Sequence, residues 1–306
     1  MADQPRDAGL ASTEWSATAD LGAMTPLETV MAFVSAAAAI PPVIESQAAA
    51  IASAITAVRD RLAGGGRLIL VGAGTSGRLA TMEAAEVGPT FGIREGIVVA
   101  IVAEVDADTG DEAEDDERAG AAAVADLRVL ATDALVGIAA SGRTPFTLAA
   151  MQAAAARDAL TIALTCAHPS PMADAAAIAI HPVVGPELLA GSTRLAAGTA
   201  TKIVLDCLTT GVMAQLGHVY QGRMIDFRAV NTKLYDRATR ITLDLSGGGE
   251  GEARQALESV GWWPRAAIIR LRLGLDHEGA IAQATAIPLL DDALAALDPR
   301  SAHGDG

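Results

Sequence analysis

With 306 residues and a formal charge of −15, the chain is long enough to bury a substantial core. It is too acidic for sequence-independent binding to nucleic acid or to an anionic membrane surface, both of which need a basic face. Hydrophobic residues make up 51 % of the chain but aromatics only 3 %, so the core is expected to be built from Ala, Val, Ile and Leu in closely packed helices and strands.

Residues 1–22 are mixed and polar, without a basic-then-apolar leader pattern, and no run reaches about 18 uninterrupted apolar residues, so a soluble cytoplasmic protein is expected. Residues 25–63 are rich in alanine and aliphatics. Pro41 and Pro42 divide them into two expected helices, the second over 43–62, and Gly64, Gly65 and Gly66 end it. The run Arg67-Leu-Ile-Leu-Val-Gly72 has the uninterrupted apolarity of a strand buried on both faces, and it leads directly into a small-residue loop and a helix to about Glu86. Further buried strands are expected at 97–102, 134–139, 160–165 and 177–181 with helices between them, the signature of a mostly parallel sheet covered on both sides. The acidic run 106–117 is expected as a solvated loop and helix start. Residues 194–216 predict a long helix and 224–241 an irregular or helical link. The glycine-rich run 246–251 predicts a linker to short helices at 252–260, 264–273 and 277–284, with a disordered tail. The expected domains are therefore 1–63, 64–245 and 246–306.

Cys166 and Cys207 lack metal-ligand or CxxC spacing and are expected to be reduced, packed residues. The histidines 168, 181, 218, 277 and 303 form no HExxH-like cluster, so no metal site is indicated.

Two loops share one design, an apolar strand followed by a hydroxyl-rich turn and an immediate helix: Gly72-Ala-Gly-Thr-Ser-Gly-Arg78 and Ala140-Ser-Gly-Arg-Thr-Pro145. Helix N-termini present unpaired N–H groups and a positive dipole end, glycine admits close approach, and Ser or Thr adds donors, so such loops suit phosphate. The first loop also fits GxGxxG, with Glu104 or Asp106 as the acidic residue a dinucleotide's ribose would need. A dinucleotide leaves the second loop without a task, whereas one phosphomonoester held by Thr75, Ser76, Ser141 and Thr144 explains both.

The runs 64–79 and Glu83-Ala-Ala-Glu-Val-Gly-Pro-Thr-Phe-Gly92, with 136–145, Gly185-Pro-Glu187, Gly191-Ser-Thr-Arg-Leu195, Gly198-Thr-Ala-Thr-Lys202 and Asn231-Thr-Lys-Leu234, resemble the N-acetylmuramic acid 6-phosphate etherase family, whose animal relative is the glucokinase regulatory protein. The resemblance implies the sugar isomerase (SIS) fold, an α/β three-layer sandwich with a mostly parallel five-stranded sheet, N-terminal helices and a small C-terminal helical bundle. It implies a homodimeric, cofactor-free carbon–oxygen lyase of cell-wall sugar recycling that removes D-lactate from a phosphorylated amino sugar. The implied acid falls on Glu86 and the implied base on Glu114. Glu187 is a candidate for sugar hydroxyls, and Arg194 and Lys202, eight apart on one expected helix, are candidates for an anion. The chain departs from the family's usual pattern at Ala196, where a lysine is common, and at Ala17 in the segment 13–20. Two rival readings remain open, a non-catalytic phosphosugar sensor and an aldose–ketose phosphosugar isomerase.

Overall fold

The computed structural model describes residues 19–103 and 110–296 of the chain. The segment 13–18, Glu104, Asp106 and the expected tail after 296 lie outside the described residues. Contacts divide the chain into two compact units, one of residues 1–85 and 96–210, the other of residues 86–95 and 211–306.

The first unit opens on helices α1 (Pro26–Ala38), α2 (Ile40–Ser46) and α3 (Ala48–Ala63). Thr25 and Glu28 form a reciprocal capping box at the start of α1. The expected break at Pro41 and Pro42 is not there. Both prolines occupy the first turn of α2, where their missing N–H groups are not required, and the chain turns instead at Ala39 and at Gln47. The segment Pro26–Ser46 is long and apolar enough to cross a membrane by length and composition, and only 6 % of its window is buried.

The strands β1 (Leu68–Gly72), β2 (Val98–Val102), β3 (Ala134–Ile138), β4 (Leu160–Leu164) and β5 (Ile178–Ile180) form one parallel sheet in the order β2-β1-β3-β4-β5. Side chains alternate across a strand, so Ile69, Val71 and Leu135 face one way. There they form a core with Val124 of α5 (Glu117–Asp126) and with Phe146, Ala150 and Met151 of α6 (Pro145–Ala155). Leu68, Leu70 and Val136 face the other way and are equally buried. The right-handed sense of parallel crossovers puts α4 (Gly74–Phe91) on that side, which gives the three expected layers. At the amino end of the sheet the buried Asp133 accepts hydrogen bonds from the Arg67 guanidinium and from the Arg67 and Leu130 amides. Burial works to raise its pKa, but these donors outweigh it and hold the carboxyl below the ordinary aspartate value. This contribution to stability is present at neutral pH and is lost as pH falls through that lowered value.

Helix α7 (Pro171–Ala175) lies between β4 and β5, and α8 (Ala196–Gln215) runs from the first unit into the second. In the second unit a short hairpin of β6 (Val219–Tyr220) and β7 (Arg223–Met224) precedes α9 (Thr232–Ser246), α10 (Glu250–Ser259), α11 (Pro264–Leu273), α12 (His277–Ala286) and α13 (Leu290–Ala295). The residues expected as an irregular or helical link, 224–241, hold the first ten residues of α9. Its buried face of Ala238, Ile241 and Leu245 shares one core with Leu257, Ile268 and Leu294, so the position expected for a domain boundary, 246, falls inside this unit. Asp226 organises the unit: it pairs with the buried Arg265 at 2.5 Å, accepts from the Trp263 indole at 3.0 Å and lies 2.7 Å from His218 Nδ1.

Candidate functional site

The sheet order reverses direction at β1, between β2 and β3, and parallel sheets open a ligand crevice beyond the carboxyl ends of their strands at such a point. The two hydroxyl-rich loops leave β1 and β3 there. A 440 Å³ cavity is lined by Thr75 and Ser76 from the first loop and Ser141 and Thr144 from the second, together with Arg78, Glu114, Thr193, Gly198 and Thr201. Four of the expected phosphate ligands thus meet at one place. Thr144 stands at the N-cap of α6 but its hydroxyl makes no capping bond, which leaves it available to the cavity. Ser141 Oγ accepts the Arg143 amide at 3.3 Å and so braces its own loop.

The structure also brings Glu114 to these hydroxyls. It sits in the 3-10 turn Gly110–Asp115, and its carboxylate lies over the backbone of Gly74. A Cβ on Gly74 would be 2.5 Å from Glu114 Oε1, and Gly74 has φ +51°, a conformation that only glycine adopts readily. Gly74→Ala is therefore expected to lower turnover about 100-fold, by displacing the Glu114 carboxylate and straining the loop, while circular dichroism still reports a folded chain. Activity within twofold of the parent would break the link between these two residues.

A match to the SIS domain family covers residues 33–166. The N-acetylmuramic acid 6-phosphate etherase of Serratia proteamaculans is 42 % identical over 276 residues, which is 89 % of this chain and 92 % of the relative. The chain belongs to the N-acetylmuramic acid 6-phosphate etherase family. The etherase of Pectobacterium atrosepticum is likewise 42 % identical over 276 residues, covering 89 % of this chain and 90 % of its own length. A phosphoheptose isomerase from Francisella tularensis superposes with a TM-score of 0.51 at 22 % identity, over 62 % of this chain and all of that one, and so shares the fold.

The remaining candidates, Glu86, Glu187, Arg194 and Lys202, are not among the described residues that line the cavity. Glu86 lies on the exposed side of α4, further along the same helix, and is absent from the lining. Glu187 is buried, and its two oxygens accept the Ala196 and Ala197 amides at 2.9 and 3.0 Å, capping α8. This cap starts the helix after Arg194, so Arg194 and Lys202 do not share a helical face as their spacing suggested. Arg194 lines a separate 200 Å³ cleft with Phe33, Ile40, Glu187 and Leu195. The Lys202 ammonium bonds Glu83 at 2.9 Å and also Asp206. Burial works against its charge, but these two carboxylates outweigh it and hold the pKa above the ordinary lysine value.

Glu83, which the sequence reading gave no role, is buried, 4 % exposed, with Lys202 and the Thr209 hydroxyl as partners. Cys166 is buried, which pushes its thiol up to about 12, whereas Cys207 is exposed and not packed as expected.

Proposed function

We propose that the two hydroxyl loops and Glu114 carry out the lactyl-ether cleavage of N-acetylmuramic acid 6-phosphate, giving N-acetylglucosamine 6-phosphate and D-lactate. The observation that carries this reading is the meeting of one carboxylate with four hydroxyls and two helix N-termini in a single cavity. The phosphate takes donors from the loops. In the open-chain aldehyde the C2 proton is acidified by the neighbouring carbonyl, and Glu114 removes it. The C3–O bond then breaks, its electron pair goes to the lactyl oxygen, and Glu86 supplies the proton that oxygen needs. Water adds across the C2=C3 bond, with hydroxyl to C3 and a proton returned to C2.

The role for Glu86 is tied to a second proposal, a homodimer. Leu27, Val30, Met31 and Val34 form an i, i+3, i+4, i+7 stripe on α1 that is 56–71 % exposed, an apolar face of the kind that marks an association surface. Light scattering is expected to give twice the 31.0 kDa chain mass, falling to one chain in the Val30→Glu, Met31→Glu double variant. A monomeric parent, or a stripe that binds lipid vesicles instead, would overturn the homodimer.

Incubation with the substrate in heavy-oxygen water tests the reaction. Lactate release with label in the C3 hydroxyl of the sugar is expected, and label in lactate alone would contradict elimination and hydration. The rival readings separate in the same tube, since a sensor binds without turnover and an isomerase forms a ketose without lactate.

A further inference from the structure

The same cavity holds a cation for which phosphate binding does not account. Among the described residues that line it, Arg78 is the only one with a positively charged side chain. Its guanidinium is exposed, and among the described residues it makes no ion pair or hydrogen bond. In a chain of net charge −15, Arg78 adds a positive charge to the lining of a polar cavity that also holds Glu114.

Its place on the helix narrows what it can hold. Phosphate is gripped at the helix start, by N–H groups and hydroxyls of the first turn. Arg78 is four residues after Gly74, one turn further in, and residues four apart lie on the same helix face. Since Glu114 lies over Gly74, Arg78 shares the helix face that bears the base, one turn beyond Gly74 and Thr75. In the proposed reaction the carbon that Glu114 deprotonates is adjacent to the one carrying the lactyl ether. That group is the second anion of the substrate, and its carboxylate must be accommodated next to a glutamate of the same charge. A guanidinium fork matches a carboxylate with two parallel hydrogen bonds.

We propose that Arg78 is the specificity residue for the lactyl carboxylate, separating ether-bearing sugar phosphates from those without the second anion. This rests on the etherase reading of the site. Arg78 stays protonated throughout and takes no part in proton transfer, so its effect is on recognition of the lactyl group and not on the acid–base steps.

The test compares two ligands by calorimetry in a Glu114→Gln background, which holds the substrate unturned. Adding Arg78→Gln is expected to weaken N-acetylmuramic acid 6-phosphate about 30-fold, the size of a charge-assisted pair, and to leave N-acetylglucosamine 6-phosphate within about twofold. Arg78→Lys should recover part of the loss, because it restores the charge without the fork. Equal weakening of both sugars would assign Arg78 to the phosphate, and no weakening of either would remove it from recognition; each outcome overturns the proposal. Failure of the etherase reading shows separately, as an absence of lactate release by the chain with Glu114 intact.

Discussion

Glu114→Gln is expected to lower kcat for lactate release by about three orders of magnitude, the range that a positioned general base supplies. The amide keeps the shape that lies over Gly74, so substrate affinity should change little and the fold should persist. In heavy water the variant should also fail to exchange the C2 proton of bound product. Glu86→Gln makes the complementary case: lactate release is lost while C2 exchange continues, because deprotonation precedes departure of the leaving group. The two variants thus assign the two carboxyls independently. If Glu114→Gln still exchanged the proton at the parent rate, the base would have to be sought elsewhere in the cavity.

The largest effect on stability is expected at Arg265. Its side chain is 3 % exposed and pairs with Asp226, 9 % exposed, while donating to the carbonyls of Gly217, Ile287 and Pro288. Arg265→Met removes the buried cation paired with Asp226 and leaves that carboxylate with the Trp263 and His218 contacts. Breaking one side of a buried pair typically costs about 3–5 kcal/mol. Urea unfolding followed by tryptophan fluorescence should show a fall of that size, and a loss below about 1 kcal/mol would mean that the pair contributes little. Arg265→Lys should fall between, since an ammonium satisfies Asp226 but not three separate carbonyls.

The sheet and both loops could be read from the sequence because their signals are local. A buried parallel strand is a short unbroken apolar run, and the glycine and hydroxyl residues that end β1 and β3 sit where the chain turns. The errors fell where a distant partner decides. Pro41 and Pro42 look like breakers until a helix start is placed under them. Glu83 carries no local signal of burial, which depends on Lys202 and Thr209 of α8. Arg194 was placed on a helix that in fact begins two residues later, because Glu187 holds the amides of Ala196 and Ala197. Glu114 is one acid among many in its stretch, and only family resemblance singled it out. Its meeting with the loop hydroxyls belongs to tertiary structure.

The bare backbone at Gly74 gives the site a ruler. In the proposed reading, the segment that begins the phosphate grip is also the seat of the Glu114 carboxylate, so the zero mark and the reading point are carried by one residue. A sugar whose phosphate were attached at C1 would bring a different carbon to the reading point, however well its anion fitted the loops. In that reading, selection among phosphosugar isomers follows from chain length measured along the substrate.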